Sequence, residues 1–165
     1  MLVLLVSVTA QGASKHKKGV APVHNEAYRA ECGSCHFAYQ PGLLPERSWR
    51  KLMGGLEDHF GSDASLDAAD REMLLAYLVK NSAEKSTRYK RSKKINKSIS
   101  KKKTPIAVSD TPYFKREHKG IPRRLITQKE VRSISNCTAC HTTAEKGRYS
   151  ERYIKIPNYG KWDDD

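Results

Sequence analysis

Apolar side chains are sparse in this chain and recur at helical intervals. Trp49, Leu52, Met53 and Leu56 lie three or four residues apart behind Pro45. That spacing predicts a helix from about Pro45 to Met53, with proline in its first turn and Gly54-Gly55 at its end. Ala69, Met73 and Tyr77, with Leu74 and Leu78, form a second stripe. They predict a helix over Asp67 to Asn81, with Asp67 and Asp70 at its positive end and Asn81 capping the other. Met53 and Met73 fall on these stripes and are read first as core residues. Asn25 can cap a shorter helix from Glu26 towards Cys32, and Gln40-Pro41-Gly42 signals a turn. In the second half, Asp110 or Thr111 can cap and Pro112 can open a short helix from Tyr113 to His118, which Gly120-Ile121-Pro122 stops. Thr127-Gln128-Lys129-Glu130 fits a capping box, predicting a helix that carries Val131 and Ile134 into Cys137. Tyr149, Tyr153 and Tyr159 then punctuate a stretch with little expected regular structure. The fold class is mainly α.

Charge changes this picture in one place. The 165 residues carry +13, and residues 85–103 hold ten Lys/Arg and no acid, so +13 minus ten leaves +3 for the rest. So charged a stretch is read as a solvated linker, with a docking surface for an acidic partner as the sharper alternative. Residues 1–10 run Met-Leu-Val-Leu-Leu-Val-Ser-Val-Thr-Ala. The run is too short to span a bilayer and reads as the apolar part of a secretory signal, with a small-residue cleavage site and no basic start. An exported protein is not expected to bind nucleic acid. With 38% hydrophobic and 30% charged residues, the chain is poorly supplied for a protein-only core.

All four cysteines lie in two boxes of the form C-x-x-C-H: Cys32-Gly33-Ser34-Cys35-His36 and Cys137-Thr138-Ala139-Cys140-His141. Two thiols one helical turn apart can add to the two vinyl groups of a haem, and the adjacent histidine then sits under the iron. A four-cysteine zinc site places its pairs roughly 15–20 residues apart, whereas about a hundred residues intervene here. A thioredoxin-like dithiol would need a strand–helix alternation that is missing. The boxes predict two haem c groups, with Cys32, Cys35, Cys137 and Cys140 as covalent anchors and His36 and His141 as proximal ligands. The haems would supply the apolar surface that the chain lacks.

Each iron has a sixth position. His59 follows the glycine pair, precedes the last helix of its segment and adjoins Phe60-Gly61, which makes it the best candidate for the first haem, with Met53 and Met73 as rivals. His118 is the one other histidine in the second segment besides His141, and no methionine follows Met73. The alternative for His118 is a surface position among Lys115, Arg116 and Lys119. His16 and His24 are read as solvent-exposed.

These segments together resemble the small dihaem cytochrome c family. The resemblance rests on both boxes, Pro41-Gly42-Leu43-Leu44-Pro45 with Trp49, Leu56-Glu57-Asp58-His59-Phe60-Gly61 and Asp110-Thr111-Pro112-Tyr113-Phe114, covering roughly residues 25–157. It implies a class I-like cytochrome c domain followed by a less regular haem-binding segment. It also implies iron held by His36 with His59 and by His141 with His118. The expected organisation is a signal remnant over 1–13, a disordered leader over 14–24, the class I-like domain over 25–84, the basic linker over 85–104 and the second haem segment over 105–165. Family members are electron carriers, with a small oxygen-binding monohaem cytochrome or a membrane b-type cytochrome as partner. The expected setting is the periplasm, and two histidines per iron imply low potentials. The competing expectation is an oxidoreductase or gas-binding protein with one open iron.

Overall fold

The structure, a computed structural model, describes residues 17–162. The signal segment, His16 and the acidic tail lie outside the described residues. Three helices organise the first half. α1 (Glu26–Cys32) starts where Asn25 accepts a hydrogen bond from the Tyr28 amide at 2.8 Å. α2 (Glu46–Met53) opens after Pro45 and closes at Gly54. α3 (Ala68–Lys80) is capped by the Asp67 carboxylate at one end, while the Asn81 side chain donates to the Tyr77 carbonyl at the other. Tyr28, Leu44, Trp49, Met53, Leu56, Leu74 and Leu78 pack between these elements. Trp49 is held there because its indole N–H reaches the Pro41 carbonyl at 2.8 Å, which removes the cost of burying that donor. The stripe on α3 is rotated from the sequence expectation. Leu74 and Leu78 are fully buried, while Met73 is 47% exposed and Ala69 faces solvent, so Met73 is not core.

Two further expectations fail, for related reasons. The leader is part of the fold from Lys17 onward. Lys17 pairs with Tyr89, and Val20 and Val23 are buried. Gly19 and Gly147, both at positive φ, let their backbones touch; a Cβ on Gly147 would lie 2.3 Å from the Val20 carbonyl oxygen. The basic stretch is not a solvated strap either, because it carries α4 (Lys90–Ser98). Ser92, Ile95 and Ile99 lie three and four residues apart and are buried. Ile95 and Ile99 join Val20, Leu43 and Tyr113 in a second apolar cluster. Three apolar or small positions were enough to dock a helix whose other face is charged.

α5 (Pro112–His118) starts at Thr111, whose hydroxyl accepts from the Phe114 amide. α6 (Arg123–Thr127) ends where the capping box was expected to begin a helix. The Gln128 carbonyl accepts from both the Val131 and Arg132 amides, turning the chain with Arg132 at φ 66°. Residues 128–136 therefore form turns that bury Val131, and the second box is a single helical turn, α7 (Cys137–Cys140). Near the end of the described residues β1 (Lys155–Ile156) pairs antiparallel with β2 (Gly160–Lys161), with Ile156 buried. Among the described residues no helix is long and apolar enough to cross a membrane.

Candidate haem sites

α1 carries Cys32 on its last residue, and Gly33 turns the chain off the helix end. A Cβ on Gly33 would lie 2.2 Å from the Arg29 carbonyl oxygen, so the first spacer position of this box takes glycine. Cys35 and His36 follow on the exposed side. His36 Nδ1 lies 2.9 Å from the Phe37 carbonyl oxygen. A proton on Nδ1 sets the tautomer whose lone pair sits on Nε2, the arrangement used when imidazole binds a metal. His59 is aimed by a tight reverse turn. Its amide donates to the Ser62 carbonyl at 2.7 Å, Phe60 and Gly61 both have positive φ, and Asp58 accepts from the Gly61 amide. The strained residue, Phe60, is 61% exposed and its ring meets the His59 ring edge-on at 4.9 Å. The centroids of His36 and His59 are 6.1 Å apart, with planes inclined by 26°.

At the second site α7 presents Cys137, Cys140 and then His141, while α5 presents His118 on its last residue. His118 Nδ1 lies 2.8 Å from the Phe114 carbonyl oxygen, again fixing the tautomer. The Phe114 ring stacks on the imidazole at 3.8 Å. His118 and His141 centroids are 6.0 Å apart with planes at 72°. Both histidines and both cysteines line one cavity of about 520 Å³, walled by Leu43, Ile95, Val108, Phe114 and Leu125. His141 Nδ1 is buried and has no hydrogen-bond partner among the described residues. A smaller hollow of about 240 Å³ adjoins His59, against Leu52, Phe60 and Ile106.

The electrostatics favour neutral groups. Burial, then the Glu31 charge, raises the Cys32 thiol to about 11, and burial raises Cys137 to about 11. Without a metal or cofactor, Cys32 and Cys137 are therefore held as thiols, the form that adds to a haem vinyl group. Burial and then His36 lower the His59 pKa, and burial, then His118 and Arg91, lower that of His141 to about 4. Both imidazoles thus keep the lone pair a metal requires. Met53 and Met73, the rivals of His59, stand apart in character: one is buried in the helical core and the other lies on an exposed helix face. His24 is exposed.

Sequence reasoning missed the residues that tie the sites together. Tyr39 packs its ring 5.2 Å from that of His36 and donates its hydroxyl to the Ser135 carbonyl, two residues before Cys137. Gln40 is fully buried, donates to the Ala144 carbonyl at 2.6 Å and accepts from the Tyr149 hydroxyl at 2.6 Å. Tyr149 in turn meets the His141 ring at 5.3 Å. Arg91 donates to the Tyr113 hydroxyl and the Tyr149 carbonyl, each at 2.9 Å. Nothing local marks these residues. Gln40 reads as part of a turn, and Arg91 reads as one cation among ten.

Two imidazoles bound end-on to one metal through bonds of about 2 Å place their centroids roughly 6 Å apart, and both histidine pairs have that spacing. The residues fit two haems: each half brings a cysteine pair and two histidines together, and in the second half Cys137 and Cys140 also line an apolar cavity.

Known proteins agree with this. The sequence pattern of the dihaem cytochrome c family matches residues 28–149. A solved diheme cytochrome c from Rhodobacter sphaeroides superposes with a TM-score of 0.70 and 42% identity, over 79% of this chain and 100% of that one. A diheme cytochrome type c from Shewanella baltica OS155 gives 0.69 and 38% identity, over 84% of this chain and 98% of that one. No curated protein matches the chain. With two C-x-x-C-H boxes, an apolar cavity at the second of them and this likeness over most of its length, the chain belongs to the dihaem cytochrome c family, and two haem c groups are its cofactors.

Proposed function

We propose that the protein is an electron carrier in which His36 with His59, and His141 with His118, would hold the two irons. The observation that carries this reading is the spacing of the two imidazole pairs, 6.1 and 6.0 Å between centroids. Haem supplies one-electron redox chemistry, and two histidines per iron favour a lower potential than histidine with methionine. The chain's part is to fix the imidazoles, exclude water and leave no open coordination position. Phe114 stacked on His118 and the Nδ1 contacts of His36 and His118 hold the rings for that task. A filled coordination sphere suits electron transfer and not turnover of a bound substrate. The setting we propose is the periplasm. The proposed partners are a small soluble cytochrome, such as an oxygen-binding monohaem protein, or a membrane b-type cytochrome.

Carbon monoxide tests the reading. The reduced wild-type protein should be low-spin at both irons and bind carbon monoxide slowly. His59→Ala should open the first iron and His118→Ala the second, each giving fast binding at one haem. Fast binding by the wild type would instead favour an oxidoreductase or gas-binding role. A variant that stays low-spin without a replacement ligand would overturn that residue's assignment.

A further inference from the structure

α4 is built against its own electrostatics. Lys90, Lys93, Lys94 and Lys97 are three or four residues apart, so they form one stripe along a helix of nine residues, and all four are exposed. Lys90 with Lys94, and Lys93 with Lys97, are like-charge pairs one turn apart, which destabilise a helix by a few tenths of a kcal/mol each. The first turn holds Lys90, Arg91 and Lys93 and no acid, placing cations at the positive end of the helix dipole. Lys85 and Arg88 precede the stripe, and Lys101, Lys102 and Lys103 extend it. The ion pairs among the described residues are Arg29–Glu26, Arg50–Glu46, Lys115–Asp110 and Arg116–Glu117, so none of these cations is neutralised within the fold. A helix that is folded, ordered by Ile95 and Ile99, and locally unfavourable in charge marks a surface kept for something other than stability.

The opposite side of the same helix says where that surface lies. Arg91 and Ile95 line the cavity that holds His118, His141, Cys137 and Cys140. The lysine stripe is therefore the outer face of the second haem site's wall. We propose that this stripe is the docking surface for an acidic redox protein, whose carboxylates seat on Lys90, Lys93, Lys94 and Lys97. A protein occupant is favoured over an anionic membrane because the stripe is the outer face of a haem site's wall, where a redox protein gains from close approach, while the buried apolar side of α4 leaves a membrane charge attraction alone. The partner's role as electron donor or acceptor rests on the reading above, but its docking does not.

Binding of an acidic flavodoxin, oxidised so that no electron moves, tests the surface on the haem-loaded protein. Titration calorimetry should find a complex at low ionic strength whose affinity falls steeply with salt. Replacing Lys90, Lys93, Lys94 and Lys97 together with Gln should weaken it about tenfold or more and flatten the salt dependence. The same number of changes at Lys51, Lys80, Lys146 and Lys161, all exposed and outside this stripe, should leave both unchanged. An unaltered Kd and salt slope in the stripe variant would overturn the proposal. So would equal losses in both variants, which would mean that net charge alone acts. Retained flavodoxin binding, together with lost binding to phosphatidylglycerol vesicles, would give the surface to a membrane. If the fourfold variant lost its haem spectrum, Lys94→Glu alone should still weaken the complex, and an unweakened complex would overturn the proposal. An open iron detected with carbon monoxide would refute the histidine ligation without touching this result.

Discussion

Around His36 and His59 the chain supplies its own interior: Tyr28, Leu44, Trp49, Met53, Leu74 and Leu78 pack side chain to side chain within residues 28–78. Around His118 and His141 it supplies walls. Leu43, Ile95, Val108, Phe114 and Leu125 come from five separate places in the sequence and face a cavity of about 520 Å³. The same five-residue box is thus served in two ways. In the first half it is appended to a helical core: Cys32 packs against that core, while Cys35 and His36 are exposed. In the second half it is part of what must be filled for the walls to meet. A short segment with little regular structure can afford such a site when the cofactor is most of its core.

Breaking the boxes should expose this asymmetry most sharply. In Cys137→Ser/Cys140→Ser the second haem is no longer anchored. An empty cavity of this size would cost on the order of 10 kcal/mol at 24 cal/mol per Å³, an upper bound because the mouth is open, and comparable to the stability of a whole domain. The second half should unfold, seen as lost helical circular dichroism and protease cleavage after residue 84, while Cys32→Ser/Cys35→Ser keeps most of both signals. Equal damage from the two pairs would erase the distinction. Gln40→Leu comes next. It leaves the Ala144 carbonyl and the Tyr149 hydroxyl without their buried partner, which should cost about 2–4 kcal/mol in denaturant unfolding. The second haem's absorption should be lost before the first's. Arg91→Lys should cost about 1.5–3 kcal/mol despite keeping the charge. An ammonium cannot span the Tyr113 hydroxyl and the Tyr149 carbonyl as the guanidinium fork does. The smallest effect is expected at Phe60→Gly. Relief of positive φ should offset the lost ring contact with His59, leaving stability within about 1 kcal/mol and the first iron low-spin in its optical spectrum.

Legibility in the sequence followed the same divide. Caps at Asn25, Asp67 and Thr111 and the stripes through Trp49 and Leu74 are local signals, and α1, α2, α3 and α5 form where those signals stand. The boxes, too, announce themselves by spacing alone. What sequence reading lost depended on distant partners. Ile95 and Ile99 become core through Leu43 and Tyr113, not through any periodicity strong enough to outweigh ten cations. Val20 is buried in the cluster with Leu43, Ile95, Ile99 and Tyr113, far along the chain, and its carbonyl lies against Gly147. The capping box at Thr127 failed because the Thr127 hydroxyl donates backward to the Arg123 carbonyl and Gln128 is occupied by Leu125 and Pro157. Gln40 illustrates the limit best, since its two partners lie 104 and 109 residues away.

Those two separations bear on the order in which the molecule is assembled. Contacts among α1, α2 and α3 close over short loops, so a chain made from its N-terminus can complete them early and quickly. Gln40 must then wait, with its amide already turned inward, until residues 144 and 149 have been synthesised and brought back. Until that happens the cluster of Val20, Leu43, Ile95, Ile99 and Tyr113 lacks the cover that Tyr149 adds, and the half-built chain leaves that edge open to its neighbours. At that point the chain already holds Cys32, Cys35, His36 and His59, while Cys137, Cys140 and His141 come later in the sequence. Whatever machinery loads the cofactors therefore meets two different substrates on one chain: an early, well-formed box on a helix end, and a late one that closes as it is filled.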